Sequence, residues 1–159
     1  MSEFNIAYIE YSPATNSLDV FMCGCNPPHC KGCYNTELWD FNTGGLPIDV
    51  AQDQIIGLNS RFDSLIDRIL ILGGEPLDVY QKNPDKFQSF IDHIRVLTGK
   101  PVYLFTRYPL SEVPQELKPY FEYIKCGRYV EELTTDDNIQ EGIKLATSNQ
   151  KIYKQGVDY

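Results

Sequence analysis

Short apolar runs alternate with longer amphipathic stretches along the chain. Residues 5–10 and 17–22 read as two strands, joined by a turn around Ser12-Pro13-Ala14-Thr15-Asn16. A helix is predicted over about 49–58, with Asp49 as its cap and Val50, Ile55 and Leu58 on the apolar side. Arg68-Ile69-Leu70-Ile71-Leu72 is short and rich in β-branched residues, which predicts a buried strand of a parallel sheet, ending at Gly73-Gly74. The clearest helix opens at Asn83-Pro84, carries Phe87, Phe90, Ile91, Ile94 and Leu97 on one apolar face, and stops at Gly99. Residues 101–106 and 121–126 read as further strands and 111–117 as a short helix, while the pattern weakens from Glu131 onward. Strands alternating with helices predict an α/β fold with crossovers, and 159 residues fit a single domain over the whole chain.

Composition adds exclusions. The chain is 42% hydrophobic and 23% charged, as globular proteins are, with a formal net charge of −8. That charge argues against a non-specific nucleic-acid binder, which needs basic surface to displace counterions. No run reaches the roughly 18 apolar residues of a membrane span. Met1-Ser2-Glu3-Phe4-Asn5 lacks the basic start and apolar stretch of a signal peptide. A cytoplasmic protein with no membrane partner is expected, and in that compartment five cysteines do not imply disulfides.

Four of those cysteines lie within Cys23-Gly24-Cys25-Asn26-Pro27-Pro28-His29-Cys30-Lys31-Gly32-Cys33. Thiolate is a soft ligand that selects zinc or iron–sulfur clusters, and a short loop gathers several thiolates at small closure cost. Zinc favours two separated ligand pairs; Cys30 and Cys33 make one, and no second follows. His29 and His93 are the only histidines and do not form such a pair. A zinc site built within the loop from Cys23, Cys25, Cys30 and Cys33 stays open. A cluster of buried free thiols is the weaker reading, because a Gly/Pro-rich loop offers little apolar core.

Three cysteines on one loop followed by the aromatic Tyr34 resemble the signature of the radical S-adenosylmethionine (SAM) superfamily. In that superfamily three thiolates hold three irons of a [4Fe–4S] cluster, and the fourth iron is left for SAM. Its common spacing is Cys-x3-Cys-x2-Cys, whereas Cys25-x4-Cys30-x2-Cys33 carries one more residue in the first gap. Ile69-Leu70-Ile71-Leu72-Gly73-Gly74-Glu75-Pro76 resembles the superfamily's "GGEP" segment, in which glycines allow close backbone approach and an acid meets the SAM ammonium. Further matches resemble the activating proteins of anaerobic (class III) ribonucleotide reductases. They are Gly24-Cys25 leading into His29-Cys30-Lys31-Gly32-Cys33-Tyr34-Asn35, Leu38-Trp39-Asp40-Phe41 before Gly44-Gly45, and Leu104-Phe105-Thr106-Arg107-Tyr108, with Arg107 in place of a glycine. Lys125-Cys126-Gly127-Arg128-Tyr129, with Cys126 in place of an acid, and Ser148-Asn149-Gln150-Lys151-Ile152 extend the likeness over nearly the whole chain.

The resemblance implies a mostly parallel incomplete (βα) barrel, open on one side towards a partner. It implies a [4Fe–4S] cluster on Cys25, Cys30 and Cys33, and SAM held by Gly73, Gly74 and Glu75, with Tyr34 near the adenine and Thr106 as a further contact. A flavodoxin-type reductant would supply the electron, SAM would yield a 5′-deoxyadenosyl radical, and a glycine of the reductase large subunit would lose a Cα hydrogen. No general acid or base is then required. Another small radical SAM enzyme and a zinc-binding interaction module are the competing classes. Among the remaining residues, Cys126 is expected to be a buried strand residue, and Cys23 either an accessory ligand or a bystander. Trp39, Phe41, Phe87 and Phe90 are expected in the core and His93 on the exposed side of its helix. For Arg107 a contact to substrate and a surface salt bridge stand as equal alternatives.

Overall fold

A computed structural model describes residues 6–42 and 45–159; expectations placed on residues 1–5 and on Gly44 lie outside the described residues. Six strands form one sheet: β1 (Ile6–Ser12), β2 (Ser17–Met22), β3 (Arg68–Gly73), β4 (Val102–Phe105), β5 (Tyr123–Cys126) and β8 (Lys151–Lys154), neighbouring one another in that order. The β2–β3, β3–β4 and β4–β5 pairs are parallel, and the two edge strands, β1 and β8, are antiparallel to their neighbours. The fold is therefore mixed α/β with a mostly parallel central sheet. Among the described residues no helix is long and apolar enough to cross a membrane.

Strand alternation divides the apolar residues between two faces. Leu18, Val20, Met22, Ile69, Ile71, Val102, Leu104, Ile124 and Cys126 join the main core with α1 (Ile48–Arg61) and α3 (Pro84–Thr98). Leu70, Leu72, Tyr103, Phe105, Tyr123 and Ile152 form the other layer, which Ile143 and Leu145 of the C-terminal segment cover. Phe87, Phe90, Ile91 and Ile94 of α3 are fully buried, each stabilising the fold by roughly 1.5–3 kcal/mol. Asn83 caps α3 by accepting from the Lys86 amide (3.3 Å), and Gly99, at φ 68°, ends it as expected.

Several expectations need correction. The first helix begins at Ile48 after Pro47, so Asp49 lies inside its first turn and is not its cap. Its buried face is Ile48, Ala51, Ile55 and Asn59, which leaves Val50 44% exposed. Leu97 is 52% exposed, because the apolar stripe of α3 turns off the core before its last turn. Residues 111–117 make no α-helix; a 3-10 turn at Leu110–Glu112 precedes Pro114, which lacks the amide a continuing helix needs. Three features went unpredicted: α2 (Pro76–Lys82), the small hairpin of β6 (Ile139–Gln140) with β7 (Ile143–Lys144), and the edge strand β8.

Candidate functional site

The parallel strands end together, and the segments leaving them build one cleft of about 190 Å³. After β2 come Cys25, Cys30, Cys33 and Tyr34; Gly73 ends β3, and Gly74 and Glu75 follow it; after β4 come Thr106 and Arg107. All eight expected site residues thus line the same space, together with Arg107.

The head of the cysteine loop is sewn to the end of β3 by backbone bonds. Gly74 N donates to Met22 O (2.9 Å) and Glu75 N to Gly24 O (2.6 Å), while Gly24 N reaches Leu38 O (2.8 Å) and Cys25 N reaches Trp39 O (3.0 Å). Gly73 adopts φ +116°, which side chains rarely take, and a Cβ on it would collide with Met22 backbone. A Cβ on Gly74 would fall against the Gly24 carbonyl oxygen and 2.7 Å from that of Leu38. The two glycines therefore serve the chain's own close approach at the floor of the cleft.

Glu75 is buried and fully engaged. Its carboxylate accepts from Leu77 N (2.9 Å), capping α2, from Thr106 Oγ1 (2.7 Å) and from Arg107 N (2.7 Å). Burial pushes its carboxyl above the usual range, while these three donors pull the other way. The Cys25 thiol is pushed up to about 11, chiefly by burial and against the pull of Arg107. Lys125 also lines the cleft; burial lowers its ammonium and the Glu75 charge opposes the shift.

Arg107 corrects one of its two alternatives, the surface salt bridge. Its side chain is only 8% exposed and pairs at 3.0 Å with Asp78 of α2, itself 1% exposed, so this is no surface salt bridge. It also donates to Asn26 O (2.7 Å) and Pro28 O (2.9 Å) of the cysteine loop. Arg128 also touches the loop, through Pro28 O (3.3 Å) and the Cys30 sulfur (3.4 Å). Trp39 is corrected too: it lines the cleft and stacks on His29 with ring centroids 3.8 Å apart, instead of entering the core. Phe41 packs partly buried against the core, Phe87 and Phe90 lie within it, and His93 is exposed.

All five cysteines are free. Cys126 is buried on the helix side of β5, pushed up to about 12 by burial. Cys23 is fully buried and does not line the cleft, which removes it from the ligand set the cleft offers. Among the described residues no three His, Cys, Asp or Glu side chains converge as ligands of one metal ion, a convergence that a cluster with one thiolate per iron does not need. Three partly exposed thiols on one wall form a soft donor set of the kind iron–sulfur clusters take.

A mostly parallel α/β sheet with three partly exposed thiols in the cleft at its strand ends defines a domain with the donor set for a thiolate-held metallocofactor. The chain belongs to the 4Fe-4S single cluster domain family, whose model matches residues 16–153. It is similar to the anaerobic ribonucleoside-triphosphate reductase-activating protein of Haemophilus influenzae, with 28% identity over an alignment that covers 92% of this chain and 97% of that protein. The protein of the same name from Vibrio cholerae is 28% identical over 71% of this chain and 74% of its own length.

Proposed function

We propose that the chain is a radical SAM activase, which holds a [4Fe–4S] cluster through Cys25, Cys30 and Cys33 and installs a glycyl radical on an anaerobic ribonucleoside-triphosphate reductase. One observation carries this reading: the three thiols share a single cleft with Gly73, Gly74, Glu75 and Thr106. The family match and the names of the two relatives support it independently. When bound, the cluster and SAM supply reductive cleavage of SAM and abstraction of a glycine Cα hydrogen, with the electron arriving from a flavodoxin-type reductant.

The protein's share is to position and to exclude water. Thr106 and the Arg107 and Leu77 amides fix the Glu75 carboxylate, and a cation beside it meets an acid that is already oriented. Glu75, with the backbone of Gly73 and Gly74, would hold the SAM ammonium. Leu72 and Phe105 give the cleft an apolar wall that keeps water from a reactive centre. Tyr34 stands 73% exposed at the rim, offering a ring face to the adenine. The fold acts as an incomplete (βα) barrel whose open side receives the reductase.

The test is anaerobic reconstitution with iron and sulfide, then electron paramagnetic resonance of the reduced protein with and without SAM. A [4Fe–4S] signal that changes with SAM is expected, followed by a glycyl radical signal once the reductase is added. Tightly bound zinc and no cluster would leave a zinc interaction module. SAM cleavage without a radical on the reductase would point to a different substrate.

A further inference from the structure

The span between Cys25 and Cys30 is Asn26-Pro27-Pro28-His29. Two of its four residues have no amide donor, and no backbone–backbone hydrogen bond closes the span. Side chains take over. Asn26 N donates to Asp78 Oδ2 (2.8 Å), and the His29 ring donates from Nε2 to Cys25 O (2.8 Å). The Arg107 fork spans Asn26 O and Pro28 O. Asp78 is the hub: Oδ2 receives both Asn26 N and Arg107 Nη2, and Oδ1 receives the Tyr108 hydroxyl (2.6 Å). Both charges are buried, and removing one would leave the other uncompensated.

We propose that Arg107 is a positioning residue. With Asp78 it sets the length and path of the Cys25–Cys30 span, and so the separation of those two thiols. The guanidinium reaches two carbonyls inside that span, so its fit depends on how many residues lie between the cysteines. The inference deepens the cluster reading and rests on it for its functional consequence, although the loop geometry is a property of the chain alone.

The first measurement is amide hydrogen exchange of the cluster-free protein. Arg107→Gln is expected to speed exchange at Asn26, whose amide donates to Asp78, by about tenfold or more, as loss of charge-assisted hydrogen bonds around Asp78 implies. Protection in α3 should stay unchanged, showing that the chain is folded. Should Arg107→Gln unfold, Arg107→Lys keeps a charge beside Asp78 without the fork and should give the same loop-confined change. The second measurement is cluster loss to a chelator, read by visible absorption, in Arg107→Gly, in a deletion of Pro28, and in both together. Each single change is expected to speed loss about tenfold. The double change should recover most of that loss, a rescue that a merely structural arginine would not give. Unchanged exchange at the loop, or losses that simply add, would overturn the inference. If the unaltered protein takes up no cluster, the functional reading fails and the exchange experiment alone decides the inference.

Discussion

Two glycine-to-alanine changes should move stability in opposite directions, because one glycine faces backbone and the other faces water. At position 74 the added methyl meets the carbonyl oxygens of Gly24 and Leu38, neither of which is the free end of a side chain. The Gly24 carbonyl also accepts from Glu75 N at 2.6 Å, so moving it disturbs the bond that ties the cysteine loop to β3. Overpacking costs about 1–3 kcal/mol and a weakened hydrogen bond about 1 more, which gives roughly 2–4 kcal/mol for Gly74→Ala. In a chain of this size that lowers the melting temperature by about 5–15 °C. Gly57 lies inside α1 on its exposed side, and a Cβ there meets nothing within 4 Å. Gly57→Ala should stabilise by about 0.5–1 kcal/mol through the better helix propensity of alanine. The corresponding rise in melting temperature is about 1–4 °C. Thermal unfolding of the cluster-free proteins by far-ultraviolet circular dichroism measures both. A Gly74→Ala protein that melts within 2 °C of the parent would refute the close backbone approach at the floor of the cleft.

Iron content after reconstitution should separate the cysteines: Cys25→Ala, Cys30→Ala and Cys33→Ala abolish stable cluster uptake, whereas Cys23→Ala and Cys126→Ala keep it. Iron loss in Cys23→Ala without loss of the fold would restore Cys23 to the ligand set. Stability should also fall as the pH rises from about 4 to 6. Burial pushes the Asp19 carboxyl up to about 6, with Glu10 adding to the rise and the Ser17 hydroxyl opposing it. In that window the native state holds a proton that the unfolded chain gives up, so raising the pH favours unfolding, by on the order of 2 kcal/mol in total. Urea midpoints at the two ends of the window should show this slope in the parent and a flatter one in Asp19→Asn; an unchanged slope in the variant would exclude Asp19 as its source.

The sequence exposed those parts of the fold that local chemistry decides. Asn83-Pro84 and Gly99 bracket α3 because a cap, a proline at the first turn and a left-handed glycine each act over a few residues. The cysteine loop and Gly73-Gly74-Glu75 were legible as chemistry, and their meeting in one cleft required only that parallel strands end at the same edge. What escaped was non-local or short. The seven-residue α2 opens on a glutamate cap and has no room for a period, while β8 is an edge strand with one buried residue, Ile152, in its four. Trp39 read as core on the periodicity of the aromatic residues, since nothing local reveals that His29 stacks on it. Two departures from the radical SAM pattern, the longer first gap and Arg107, looked unrelated at 79 residues' separation, yet Arg107 bonds to Pro28 within that gap.

The unpredicted helix α2 explains why the site holds together. Glu75 and Asp78 sit at its start, three residues apart and both buried, and they divide the walls of the cleft between them. Glu75 takes the end of β4 through Thr106 and the Arg107 amide; Asp78 takes the cysteine loop through Asn26. The Arg107 side chain returns from the end of β4 to Asp78, closing the circuit: the Arg107 amide donates to one acid and its guanidinium to the other. The Asp78 charge adds to the cost of charging the buried Glu75. Arg107 is the cation the chain supplies on the Asp78 side, whereas the Glu75 carboxylate is held by neutral donors and feels the charge of Lys125. Burial still raises the Glu75 carboxyl despite these partners, so a further cation entering the cleft beside it would be stabilised.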